Sequence, residues 1–237
     1  MRCLGVLGGM SWESTLLYYR LLNQGVSARL GGRHSARMVL HSVDFAPLAA
    51  QQAAADWAAA AQVLAEAGRG LRAAGAEGLV LATNTMHKVA AHIEQAAGLP
   101  LLHIADATGA ALTAAGVRRV GLLGTRFTMD DPAIVLDRLR RQHGLQVLVP
   151  GDDDRAEVHR VIYDELCRGV VRDGSRHAFV AAIERLRAQG CDGVILGCTE
   201  ITMLVDAACS PLPVFDSTAL HAAAAVDWML DPHEQGD

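Results

Sequence analysis

Two stretches decide how this chain is read: LVLATNTMHK, Leu79 to Lys88, and GVILGCTEIT, Gly193 to Thr202. Each opens as a short apolar run and stops in a cluster of small polar side chains. A continuous apolar run of this length, entered through a glycine, suits a strand buried on both faces, as in a parallel sheet. The first run closes on Thr83 where the second closes on Cys198.

Six more runs of the same kind lie around them. Before Cys198 come CLGVLG (Cys3 to Gly8), MVLHSV (Met38 to Val43), LLHI (Leu101 to Ile104), VGLLGT (Val120 to Thr125) and VLVP (Val147 to Pro150); PVFD (Pro213 to Asp216) comes after it. The stretches between them are rich in Ala and Leu at helical spacing, with one helix expected over Ala53 to Leu71 and a last one over His221 to Leu230. GVLGG at Gly5 parallels GLLGT at Gly121, AGAEGLVLAT parallels QGCDGVILGC, and LPLLHIAD parallels LPVFDSTA, all at a nearly constant separation.

The chain therefore reads as α/β, built twice: two pseudo-symmetric halves, each with a mainly parallel four-stranded sheet flanked by helices. Residues 1–98 with 207–230 are assigned to the first half, 99–206 to the second, and 231–237 to a frayed polar tail. Gly98 to Pro100 and Ala115–Gly116 are both possible joins. Ligands of such sheets bind beyond the C-terminal ends of strands, so Thr83 and Cys198 are expected on opposite walls of one cleft.

Composition narrows the function. The chain has 237 residues, 51% of them apolar and 20% charged, with a formal net charge of −5 and no run of Lys or Arg, which speaks against nucleic acid as a partner. No apolar run is long enough for a membrane span, and the N-terminal apolar stretch is too short for a signal peptide, so a cytoplasmic protein is expected. Five cysteines (Cys3, Cys167, Cys191, Cys198 and Cys209) without CxxC spacing read as free thiols, and no metal site is expected.

Three clusters could carry chemistry. GGMSWES, Gly8 to Ser14, joins a strand to a helix through two glycines, a turn whose amides could meet an anion, although it lacks GxGxxG. Thr83-Asn84-Thr85 and Cys198-Thr199-Glu200 each put short polar groups where a helix would start after a strand. Such turns could grip a carboxylate or could be plain caps. At a helix N-terminus the Cys198 thiolate would be favoured and its pKa lowered.

GVLGGMSWES, TNTMHK and GCTE together resemble the aspartate/glutamate racemase superfamily, over nearly the whole chain. With HSVDF at His41 and HIADAT at His103, the likeness is strongest to its branch of broad-specificity amino-acid racemases. The resemblance implies a homodimer, a small amino-acid substrate, and racemisation without pyridoxal phosphate or any other cofactor. In most members two thiols flank the α-carbon, one taking the proton and the other returning one to the opposite face. Cys198 matches the second thiol. Asn84, Thr85, Thr199 and Glu200, with Met10 in the Gly9–Ser11 turn, Thr125 and Gln52, match the substrate-holding positions.

Thr83 stands where most members have the first thiol. A hydroxyl cannot supply alkoxide near neutral pH, whereas it can donate a proton. The resemblance then implies Cys198 as base and Thr83 as donor or water holder, with the L-substrate favoured. A single working thiol also leaves open decarboxylation of malonate-type acids, or a protein that only binds an amino acid. Members dedicated to aspartate tend to carry an arginine after the second strand, where this chain has Leu48 and Gln52. Arg126, Arg168 and Lys88 remain as possible side-chain partners.

Overall fold

The computed structural model describes residues 1–231 of the chain and divides into two units: unit 1, Met1–His103 with His221–Asp237, and unit 2, Ile104–Leu220. From residue 232 on, the expected tail lies outside the described residues.

Unit 1 runs β1 (Leu4–Gly8), α1 (Trp12–Leu30), β2 (Met38–Ser42), α2 (Phe45–Ala53), α3 (Trp57–Ala73), β3 (Gly78–Leu81), a 3-10 turn (Thr85–Val89), α4 (Ala90–Ala97) and β4 (Leu101–Leu102). Unit 2 runs α5 (Ile104–Ala114), β5 (Arg119–Leu123), α6 (Arg126–Asp130), α7 (Leu136–His143), β6 (Gln146–Leu148), α8 (Asp152–Asp164), a 3-10 turn (Leu166–Arg168), α9 (Asp173–Ala188), β7 (Gly193–Leu196), a 3-10 turn (Thr199–Met203) and β8 (Val214–Asp216). Helix α10 (Ser217–Leu230) begins in unit 2 and ends in unit 1. Each unit holds one parallel four-stranded sheet, ordered β2-β1-β3-β4 and β6-β5-β7-β8. The repeat seen in the sequence is thus a repeat of topology.

The continuous apolar runs exist because the central strands are covered on both faces. In β1, Leu4 and Val6 pack with Tyr18, Leu22 and Val26 of α1 and with Ala222, Val226 and Met229 of α10. Leu7 points the other way, into Leu48, Leu64, Leu71 and Ile93 of α2 to α4. Strand β3 alternates likewise, Val80 to the first face and Leu79 and Leu81 to the second. Unit 2 repeats the pattern, with Val120, Leu122 and Ile195 on one face and Leu123, Val194 and Leu196 on the other. At about 1.5–3 kcal/mol for each large apolar side chain buried, a one-residue slip of any central strand is ruled out. Gly78 is needed for close approach, since a Cβ there would lie 2.6 Å from the Trp228 ring.

Two expectations need correction. The boundaries fall elsewhere, because a strand belongs with the ladder it extends. Leu101 pairs with Leu79, which keeps 99–103 in unit 1, and Val214 pairs with Val194, which keeps 207–220 in unit 2. The helix expected over Ala53 to Leu71 is α3 and begins four residues later, at Trp57, because Ala53 is the last residue of a separate helix, α2. Ala54 ends α2, Ala55 takes a left-handed φ of 56°, and Asp56 starts α3 by accepting from the Ala59 amide at 3.0 Å. Among the described residues no helix is long and apolar enough to cross a membrane.

Candidate active site

In a sheet ordered 2-1-3-4 the connections leave β1 and β3 in opposite directions, which opens a crevice at the C-terminal ends of those two strands. In unit 1 that place is formed by Gly8-Gly9-Met10 after β1 and Thr83-Asn84-Thr85 after β3. In unit 2 it is formed by Gly124-Thr125 after β5 and Cys198-Thr199-Glu200 after β7. The register continues these pairings, with Leu7 level with Leu81 and Leu123 level with Leu196.

The first turn of unit 1 is held tightly. Gly9 has a φ of 92° and its amide donates to Thr15 Oγ1 at 2.8 Å, while the Thr15 hydroxyl donates to the Ser11 carbonyl at 2.8 Å. Ser11 caps α1, its side chain accepting from the Ser14 amide. A Cβ on Gly9 would fall 2.2 Å from the Val43 carbonyl oxygen, so glycine is required by both conformation and space. The Met10 side chain is buried in the core, which leaves its main chain for any ligand.

At the end of β3, Thr83 is partly exposed, and Asn84 and Thr85 are buried. Gln52, on α2, is only 6% exposed, and its side chain makes no hydrogen bond to another of the described residues. The Gln52 amide is not among the buried groups left without a partner, so it reaches open space where a ligand or water can meet it. Leu48 is core, and Lys88 is stacked 4.3 Å over the Trp57 ring. Arg126 and Arg168 are exposed in unit 2.

In unit 2, Thr125 caps α6 and its hydroxyl lies 3.3 Å from that of Thr128. The Cys198 thiol donates to Glu200 Oε2 at 2.9 Å, and the Thr199 hydroxyl donates to the same oxygen at 2.6 Å. The expectation of a lowered Cys198 pKa is overturned. Burial, and after it the negative charge of Glu200, push the thiol well above its usual range. Cys198 leads into a single 3-10 turn, too short to supply a helix dipole that would offset this.

The sequence reading missed two residues of unit 2, His159 and Tyr163, one turn apart on α8. The Arg126 amide donates to His159 Nδ1 at 3.2 Å, and the His159 and Tyr163 ring centroids are 4.6 Å apart. Burial raises the Tyr163 pKa, and Cys198, Cys167 and Glu200 raise it further, which puts the phenol within electrostatic reach of the thiol. Their i, i+4 spacing was visible in the sequence, but only packing shows which way that face of α8 looks.

Comparison with known proteins gives the family. A profile of the Asp/Glu/Hydantoin racemase family matches residues 7–225, and the chain belongs to that family. The chain is similar to a provisionally named Asp/Glu racemase from Yersinia pestis, 53% identical over 98% of this chain and 100% of that one, with a TM-score of 0.93. An aspartate racemase homologue from Pyrococcus horikoshii OT3 is 30% identical, with 98% and 100% coverage and a TM-score of 0.84. The aspartate racemase of Picrophilus torridus, at 22% identity, 96% and 94% coverage and a TM-score of 0.73, shares the fold. A curated relative, a trehalose-phosphate phosphatase from Mycobacterium avium (strain 104), is 35% identical over 103 residues. These are 44% of this chain, and the chain spans only a quarter (25%) of that protein's length, so its activity is not carried over.

Proposed function

We propose that this chain is a cofactor-independent amino-acid racemase acting on aspartate, glutamate or related small polar amino acids. The observation that carries the reading is the Cys198–Glu200 hydrogen bond at the crevice of unit 2, matched in the topology of unit 1 by Thr83. Cys198 serves as base for the L-substrate. Its proton passes to Glu200, and the thiolate so formed, being unusually basic, is suited to an α-proton that is itself a weak acid. Thr83 then gives a proton to the opposite face, directly or through water, and the proton held by Glu200 is released to water as the Thr83 hydroxyl is restored from it, which returns both groups to their starting state. Asn84, Thr85, Thr125, Thr199 and the main chain at Met10 hold the carboxylate and ammonium, and the Gln52 amide meets the side chain. With one thiol, removal of the α-proton is faster from L than from D, while the equilibrium constant stays at one.

A second copy of the chain completes the reading. Trp12, Leu16 and Tyr19 lie on one face of α1 and are 66%, 59% and 52% exposed. An apolar stripe of this kind supports a homodimer packed through α1. Sedimentation of wild type and Leu16→Glu tests it, the variant being expected to sediment as a monomer; a monomeric wild type refutes the dimer.

The test of function is incubation in D₂O with L- and D-aspartate and L- and D-glutamate, following α-proton loss by NMR and configuration by chiral chromatography. Exchange with inversion, abolished in Cys198→Ala, is the expected result. Binding without exchange of any of the four would overturn the racemase reading, and malonate-type acids would be the next substrates to assay.

A further inference from the structure

Three histidines come together in unit 1, and none has a role in the chemistry above. His87, His103 and His221 are 3%, 8% and 0% exposed. The His87 ring centroid is 4.5 Å from that of His103 and 5.6 Å from that of His221. His221 is fixed from two sides, Nε2 donating to the Leu102 carbonyl at 2.8 Å and Nδ1 accepting from the fully buried Tyr18 hydroxyl at 2.7 Å. Among the described residues no group of His, Cys, Asp or Glu has the arrangement of a metal site. The cluster is a scaffold of imidazoles.

Its significance lies in what His87 holds. Strand β3 ends at Leu81, the Ala82 amide still reaches the Leu7 carbonyl at 2.9 Å, and beyond it the ladder stops. The main-chain amide of His87 turns to the Asn84 carbonyl at 3.1 Å, as a 3-10 turn requires, and so bypasses Thr83. The Thr83 carbonyl is met instead by the His87 ring, Nδ1 at 2.8 Å. A carbonyl can only accept, so this nitrogen carries a proton. In unit 2 the matching carbonyl, that of Cys198, accepts from the main-chain amide of Ile201 at 3.2 Å and needs no side chain. The peptide that carries Thr83 is therefore fixed by a side chain where its counterpart is fixed by the backbone.

We propose that His87 is a positioning residue: its Nδ1–H fixes the Thr83 peptide and with it the direction of the Thr83 hydroxyl, and His103, His221 and Tyr18 hold the His87 ring in place. This rests on the proton-donor role given to Thr83. Without the bond, the Thr83 peptide is left with an unsatisfied carbonyl and rotates to find another donor. The Thr83 hydroxyl is carried by that peptide, whereas the Asn84 and Thr85 side chains branch beyond it, so the loss falls on turnover more than on binding.

Two variants separate the donor from the packing. His87→Phe keeps the aromatic volume and removes the donor; His87→Asn keeps an N–H near the Nδ1 position and gives up most of the ring. The proposal expects His87→Phe to lose about 10-fold or more in kcat with KM little changed, as for a misplaced catalytic group, and His87→Asn to retain most of its turnover. A role in packing alone gives the opposite order, Asn worse than Phe, and overturns it, as would equal loss in both. A second measurement does not need racemisation. ¹⁵N NMR of wild type should show the His87 ring protonated at Nδ1, and hydrogen exchange at the Asn84 and Thr85 amides should quicken in the Phe variant and not in the Asn variant. If wild type racemises no amino acid, the functional reading fails while the exchange order still supports or overturns the positioning role. A His87 ring unprotonated at Nδ1 overturns it outright.

Discussion

The Cys198 thiol lies 2.9 Å from Glu200 Oε2 and donates to an oxygen that also accepts from Thr199. One carboxylate oxygen thus serves two donors, which opposes loss of the thiol proton to water and offers the carboxylate as its receiver. Glu200→Gln removes the charge and keeps the shape. The Cys198 pKa should fall in this variant, because after burial the Glu200 charge is the largest cause of its rise. Alkylation of Cys198, mapped by peptide mass spectrometry across pH, should show its midpoint moving down. At the same time α-proton exchange should slow by about 100-fold, since an amide cannot take the thiol proton. A midpoint that stays where it was would leave burial as the sole cause.

Thr83→Cys puts a group with an ordinary pKa near 8.5 where a hydroxyl stands. Removal of the α-proton from the D-substrate should gain most: kcat from the D side should rise by about 10-fold or more, with kcat/KM staying equal in the two directions as an equilibrium constant of one requires. Initial rates from each pure enantiomer measure this directly. If D turnover is unmoved while L turnover is intact, Thr83 is not the group that faces the D-proton.

The strands were legible because burial on both faces writes itself as an unbroken apolar run, as in Gly78–Leu81 and Gly193–Leu196. The repeat was legible because the same crevice had to be closed twice by small residues. The break at Ala54–Asp56 was not, since a run of alanines suits a helix throughout and nothing in Ala55 announces a left-handed turn. The direction of the Cys198 pKa was missed for a different reason. The sequence shows a cysteine before a presumed helix, but burial and a carboxylate folded back from Glu200 decide its charge. Tyr163 and His159 became visible only once α8 was packed.

The histidine cluster makes unit 1 sensitive to acid. Burial, and then His103 and His221, hold the His87 pKa well below its ordinary value of 6.5. The unfolded chain therefore takes up a proton near 6.5 that the folded unit refuses. Stability is constant with respect to this group above 6.5 and falls as pH drops below it, by up to about 1.4 kcal/mol per pH unit, until the folded pKa is reached. All three tryptophans, Trp12, Trp57 and Trp228, lie in unit 1, so urea unfolding followed by their fluorescence reports that unit. Wild type should lose stability between pH 6.5 and 5 more steeply than His87→Asn. Equal slopes would assign the acid sensitivity to other groups.

Ala55 offers the reverse case, a position where the native residue costs stability. The end of α2 carries both hydrogen bonds of a Schellman turn, the Asp56 amide to the Gln51 carbonyl at 2.8 Å and the Ala55 amide to the Gln52 carbonyl at 3.1 Å. The left-handed residue of that turn is ordinarily glycine, and here it is alanine with a φ of 56°. A side chain in this conformation costs about 1–2 kcal/mol. Glycine removes that cost and gives back about 0.4–1 kcal/mol through the greater freedom of the unfolded chain. The first effect is the larger, so Ala55→Gly should stabilise unit 1 by roughly 0.5–1 kcal/mol, seen as a higher urea midpoint with an unchanged slope. The same variant should leave α-proton exchange unchanged unless Gln52, three residues earlier, depends on the strain. A lower midpoint would mean that the turn in solution does not hold Ala55 in the left-handed region.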